Sequence, residues 1–492
     1  MLDITFLKFW HIWDLPTINK RNRTPYKDDY WKGIRTKFFV QTAAGGVAMM
    51  VLFLVCCSYL YGTLYRSSFR HENMHVLAVQ YDEGVISQAL STAYKELQGP
   101  TFPTIYFHSP DDYPTPEDIY ASVRRGRFRG AVYTTENASS RLEAAFQGGL
   151  AASSYNTTKA LSYVWNQEYY TTFAESVVQA SLQELVVAVG VAYVKINGTQ
   201  AFPYVARSDP AAIQAFLNPI QAAEGDIHPD PKGASVFFST VSMAMPALQQ
   251  FFFLLVLNGV CRQHQVYSKM TIRSSTIVRR FAGIIYTLGA SLGQSGYYWA
   301  FRESWDVNGV QFVLTWMTLW LLMHIHLNIL DAFAAVLPLP VMPFIILIWI
   351  FINIATTVSP LELQPGFYHW GICLPSHNSY LVLVTIWTGG ANNRLYRALP
   401  ILFSWWIVGN VVSTLAHVRA CQMAFVLERF EEIRPQDLEA PSILSEEESE
   451  TRFQRPATQK SEENDGLGRE KTMEDRAMEQ RKIYGPSIPP AF

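Results

Sequence analysis

The chain has 492 residues, of which 49% are hydrophobic, 14% aromatic and only 16% charged, with a formal net charge of −2. A soluble domain carries nearer a quarter of charged residues, so an ordinary soluble globule is excluded. The near-neutral balance also excludes a nucleic-acid binder held by a basic surface.

Residues 1–37 are aromatic and basic, and Lys20, Arg21, Arg23, Lys27, Lys32, Arg35 and Lys37 crowd the approach to an apolar run at 38–61. That run carries no charge and is long enough to span a bilayer. It reads as a signal anchor with a cytoplasmic N-terminus. Residues 62–235 are polar and mixed. Strands are expected at Met74–Val79, Thr104–His108, Gly130–Thr134 and Leu161–Trp165. Helices are expected at Val85–Leu97, Pro116–Arg124 and Ser139–Phe146, with a long one from about Thr172 to Val194. This alternation predicts an inserted α/β domain. The apolar part of the last helix, Leu185–Val194, reads as too short to span. The domain holds sequons at Asn137, Asn156 and Asn197, which suits an extracytoplasmic, glycosylated position. Five cysteines (56, 57, 261, 373 and 421) leave it without a disulfide framework.

A second span is expected at 236–260, kinked at Pro246. The loop 261–280 holds Arg262, Lys269, Arg273, Arg279 and Arg280 and no acid, a positive-inside signal. Cys261 and Cys421 fall at the expected cytoplasmic edges, where plain helix residues are the preferred reading over palmitoylation. The third span, 281–301, is rich in small residues that allow close helix approach. The fourth is 310–333. Pro338, Pro340 and Pro343 interrupt the entry to the fifth, 341–358. An outer segment, 359–397, is broken at Pro365-Gly366, Pro375 and Gly389-Gly390, and the sixth span is 398–418. Residues 419–492 form a cytoplasmic tail, expected to be disordered from about 428. The expected fold is thus an α-helical polytopic membrane protein with six transmembrane helices and an inserted α/β extracytoplasmic domain between helices 1 and 2.

The runs LPLPVMPFIILIWIFINIA, SPLELQPGFYHWGICLPSHNSY and IWTGGANNRLYRALPILF, within residues 337–403, resemble the fungal nitrosoguanidine-resistance membrane proteins. Those proteins are in turn similar to phage-infection proteins and to the membrane half of type-2 ABC exporters. The resemblance covers roughly residues 30–425. It implies a plasma-membrane or endomembrane protein, permease-like and linked to resistance against a toxic alkylating compound, with a suggested role in lipid distribution between leaflets. It also implies a homodimer.

No phosphate loop and no GxSxG nucleophile elbow is present, so the chain reads as neither a nucleotide engine nor an enzyme, and no cofactor is expected. His71-Glu-Asn-Met-His75 matches the HExxH pattern, but it runs into a strand, where positions i and i+4 lie too far apart to share a zinc. Membrane-proximal polar residues are the preferred reading. His324, Asn328 and Asp331 share one helix face. They could relay a proton or contact a polar solute, or Asp331 could simply end its helix at the interface. Glu362, Pro365, Gly366, Pro375, His377, Asn378, Gly389, Gly390, Asn393 and Arg394 surround the short apolar run Tyr380–Trp387. That run reads equally as a re-entrant element or a surface-lying amphipathic helix; either way the segment is a lid or gate. Arg124, Arg125, Arg127 and Arg129 read as a solvated face rather than a headgroup contact. The expected function is export or transbilayer movement of amphiphilic small molecules or lipids. The alternative is a non-transporting organiser that binds partners through its outer domain and tail. Membrane lipids, an amphiphilic substrate and cytoplasmic partners of the tail are the expected partners.

Overall fold

The computed structural model describes residues 27, 29–228, 233–303 and 305–433. Two compact units divide between Ser58 and Tyr59. The first is dominated by helix α1 (Ile34–Thr63), whose Phe38, Phe39, Met50 and Leu54 are exposed. An uncharged apolar run of this length, from Phe38 onward, suits lipid.

The second unit opens on a mixed five-stranded sheet of order β2-β1-β3-β4-β5. Strands β1 (His75–Gln80), β2 (Thr104–His108) and β3 (Gly130–Thr134) are parallel. Strand β4 (Leu161–Trp165) pairs antiparallel with β3, and β5 (Ala222–Asp226) pairs parallel with β4. The central β1 reads HVLAVQ with its interior buried on both faces, as a central strand under helices must. Helix α2 (Val85–Leu97) packs Ile86, Ala89, Leu90 and Ala93 into the core. Helix α3 (Pro116–Arg124) starts on a Thr115/Asp118 capping box. Helix α4 (Ala138–Phe146) follows β3. The buried Asp82 carboxylate accepts from Ser139 N at 2.9 Å and from Gly84 N at 3.1 Å, filling the crevice beyond β1 and β3 with the chain's own anion.

The long helix of this domain departs from expectation. It runs over Thr171–Tyr204 and is long and apolar enough to cross a membrane, whereas only Leu185–Val194 was expected to be apolar. Its main part, α5 (Ala180–Ala201), instead buries Leu182, Leu185, Val189 and Tyr193 in the sheet's core.

The remaining helices form a bundle: α6 (Val241–Gln263), α7 (Ile272–Ala300), α8 (Gly309–Val336), α9 (Met342–Ala355), α10 (Pro375–Trp387) and α11 (Leu395–Ile433). In the described residues five helices are long and apolar enough to cross a membrane: α1, Thr171–Tyr204, α6, α8 and the Leu395–Glu428 part of α11. Two expected spans are absent from that set. Helix α7 has the length, but Arg279, Arg280 and its many small and polar residues lower its hydropathy. Helix α9 has 14 residues, about 21 Å, short of the ~30 Å hydrocarbon core. Helix α8 is central: every residue from Leu321 to Leu330 is buried. Outward faces of α6, α7 and α11 carry exposed Phe252, Val256, Phe281, Ile285, Ile407, Val411 and Leu415, as lipid-facing helices do. Helix α11 continues to Ile433, past the expected boundary near 428; the rest of the tail and the N-terminal segment lie outside the described residues.

Candidate functional site: an outer latch and a buried polar cluster

The candidate residues separate into two constellations and a linker. Pro338 and Pro340 sit in the exposed turn between α8 and α9, and the exposed Pro343 stands in the first turn of α9. They position the chain reversal and reach neither constellation.

The outer constellation is built on α10. Pro375 occupies its first turn, where a missing N–H costs nothing. All its residues but Ile386 are buried. That excludes the surface-lying amphipathic helix, which needs one wet face. Thirteen residues, about 20 Å, are too few to span. Its first turn is tied to its neighbours. Asn353 Oδ1 accepts from Ser376 N at 3.3 Å, His377 Nδ1 lies 3.2 Å from Thr356 O, and Asn378 Nδ2 donates to Leu374 O at 2.8 Å. The N-terminal end is therefore engaged by protein. At the other end Gly389 and Gly390 turn the chain back at φ +58° and +98°. Asn393 Oδ1 then accepts from Leu395 N at 3.0 Å at the start of α11. Pro365 starts a 3-10 turn, Gly366–Cys373, and Gly366 itself is exposed.

The α/β domain grips this turn. Arg124 donates to Gly389 O at 2.9 Å, Asn392 N to Arg124 O at 2.6 Å, and Arg394 to Gly126 O at 3.1 Å. Gly126 has φ +69°, and a Cβ there would stand 2.2 Å from Asn392 Oδ1, so only glycine allows the approach. Beneath this lies the Arg129–Glu362 ion pair. Arg129 also stacks 3.8 Å over the Tyr169 ring and donates to Asn392 Oδ1 at 3.3 Å. Burial pushes the Glu362 carboxyl up, but the Arg129 guanidinium overrides it and holds the acid below its ordinary value. Arg129 in turn is held charged, against burial, by Glu362 and Tyr169. Tyr170, fully buried and at φ +55°, packs 4.9 Å from the Tyr380 ring of α10. A tyrosine in the left-handed region is strained and is kept there by this contact. Arg125 and Arg127 are exposed, as a solvated face requires, whereas Arg124, also exposed, and the partly buried Arg129 reach the turn as the arms of a latch.

The inner constellation lies between α6, α7, α8 and α11. Asp331 does not end its helix, since α8 continues to Val336. Its oxygens accept from Arg279 at 2.6 Å and Ser413 at 2.6 Å. Asn328 Oδ1 accepts from Arg280, which also donates to Asn410 Oδ1 and Thr414 Oγ1 at 2.7 Å each. Trp406 Nε1 donates to His324 Nδ1 at 2.7 Å. Two arginines expected in the cytoplasmic loop are therefore embedded in the bundle. An Asp inside an apolar helix demands a cationic partner, and that demand was the available signal for Arg279. The thiols of Cys261 and Cys421 are also buried, beside Arg279 and His417. Buried thiols do not suit acylation at a membrane edge.

The remaining motifs do not converge. His71 lies in a 3-10 turn with Nδ1 2.9 Å from Thr101 O, and His75 opens β1 against the Tyr106 ring. Among the sequons, Asn137 and Asn156 are exposed. Asn197 is half-buried within α5 and donates to Tyr193 Oη at 3.0 Å.

A family model described as "Protein of unknown function (DUF3533)" matches residues 46–411. The chain belongs to this family. The match takes in the α/β domain, α10, the latch and the α7 and α8 residues of the inner cluster, and ends within α11, before Ser413, Thr414 and His417. No solved structure matches the chain.

Proposed function

We propose that this protein is a membrane permease that exports amphiphilic small molecules, or moves them or lipids between leaflets, with α10 as its gate and the α/β domain as the latch over it. One observation carries the reading: a helix too short to span is buried on all sides, entered at Pro375 and left through Gly389-Gly390. Short, interrupted helices packed inside a bundle are the usual material of transport paths. On this reading six segments cross the bilayer, with α7 and α9 completed by their flanking turns. Both termini are cytoplasmic, the α/β domain is outside and glycosylated at Asn137 and Asn156, and the plasma membrane is the site of action. Two copies form the working unit. Resistance to nitrosoguanidine-type compounds, expected from the resemblance, is then efflux or altered lipid distribution.

Reconstitution of the purified chain in liposomes tests this. Loss of leaflet-restricted fluorescent lipid, or efflux of a trapped amphiphile, is expected to be faster than in protein-free vesicles. Equal rates for every probe would point to the organiser reading, in which truncation of residues 434–492 abolishes resistance. A permease largely survives that truncation.

A further inference from the structure

The inner constellation lines a half-open cavity of about 20 Å³ with Arg279, Arg280, His324, Asn328, Asp331 and His417, together with Thr276 and apolar side chains of α6 and α8. Donors outnumber acceptors in its polar lining. Arg280 Nη1 bonds Asn328 Oδ1, which fixes the amide orientation and leaves Asn328 Nδ2 as a donor. Trp406 donates to His324 Nδ1, so that nitrogen is unprotonated and the ring proton sits on Nε2. Asn328 Nδ2, His324 Nε2 and Arg279 Nε are all shielded from solvent and have no protein acceptor, and Asn328 and His324 are 3% and 2% exposed. The carboxylate oxygens of Asp331 already accept from Arg279 and Ser413. Two guanidinium groups thus face a single carboxylate, and Arg280 is held by neutral oxygens alone.

We infer that this cavity is a binding site for a small monovalent anion, of which chloride is the physiological form. Buried donors without acceptors are costly, and a half-buried guanidinium held by neutral oxygens alone favours a counter-charge. One anion satisfies both. It accepts from Asn328 Nδ2, His324 Nε2 and Arg279 Nε together and brings the local charge to zero. A water molecule also fits the volume, but it accepts from only two donors, supplies no charge, and would bring two hydrogens into a lining already rich in donors. A divalent oxyanion would overshoot the single excess positive charge. The inference is independent of the transport reading: the anion ties α7 to α8 whether or not a solute passes.

The test is equilibrium binding of radiolabelled chloride to the full chain in lipid nanodiscs, at constant ionic strength with gluconate as the balancing anion. A single saturable chloride per chain is expected, displaced by bromide and not by sulfate. Asn328→Asp places a carboxylate beside Arg280, so the protein should elute as folded and bind chloride at least about tenfold more weakly, a loss of ~1.4 kcal/mol. His324→Phe removes one donor and should weaken binding while leaving displacement by bromide intact. Absence of saturable chloride binding in the unmodified chain would overturn the inference in favour of a water-filled cavity. Chloride affinity unchanged in Asn328→Asp would overturn the assignment of the site.

Discussion

The outer latch and the inner cluster use the same chemistry with opposite bookkeeping. In the latch Arg124 and Arg394 bond backbone carbonyls at the rim, and the more shielded Arg129 meets one acid, an aromatic face and an amide oxygen, so the charge of that inner pair is closed. In the inner cluster two arginines share one acid, and three donors are left over. The latch joins a polar domain to a short helix and can part at a boundary that water reaches. The inner cluster joins helices whose outer faces are apolar, and it cannot part without exposing charge to hydrocarbon. The first is built to release; the second is built to hold.

The largest expected effect is therefore in the inner cluster. Asp331→Ala leaves Arg279 and Arg280 without an acid and should cost roughly 3–5 kcal/mol, read as loss of monodisperse protein after solubilisation; Arg279→Ala, which leaves Asp331 to Arg280, should cost less. The double change Arg279→Met with Asp331→Leu should recover most of the yield. If the singles are as stable as the parent, the cluster does not hold the helices.

The latch should respond less. Arg129→Ala removes the ion pair and the ring contact, with an expected cost of about 2 kcal/mol, read from the thermal unfolding of the purified protein. Gly126→Ala attacks the same contact sterically, since its Cβ would meet Asn392, and should give a similar shift without touching any charge. Backbone strain comes next. Gly390→Ala, at φ +98° with open space around it, should cost about 1–2 kcal/mol. Gly389→Ala, in the ordinary left-handed region at φ +58°, should cost about 1 kcal/mol.

The smallest effect is that of pH on the latch. The Glu362 carboxyl is held below its ordinary value. Its contribution is therefore complete above the unfolded value, about 4.3, and is lost as pH falls through the lower folded one. Unfolding temperatures of the parent should fall more steeply below that range than those of Glu362→Gln. Parallel curves would mean that the pair contributes nothing to stability.

Much of the architecture was legible. Alternation and β-branched residues placed strands β1 to β4, because those segments are buried and pattern follows burial. Strand β5 was missed because Ala-Ala-Glu-Gly-Asp is an edge with poor β-propensity, held by pairing to β4 alone. The length of the Thr171–Tyr204 helix was missed because its apolar turns are interrupted by Gln183, Glu184 and Lys195, which lie on its outer side. The three residues on one face of α8 were legible from helical spacing. Their partners were not, because Arg279 and Arg280 read as part of a basic loop until helix α7 is seen to start at Ile272. The latch was illegible for a different reason: Arg129 and Glu362 are 233 residues apart, and nothing local marks either as paired.

The most direct test of the latch and gate is the rate of transbilayer movement of a fluorescent lipid in liposomes that contain either the parent chain or Arg129→Gln. Removing the closed charge pair frees the turn after α10, and the account predicts a faster rate for Arg129→Gln at equal protein incorporation. A parent rate above that of protein-free vesicles and an identical rate for the variant would contradict it.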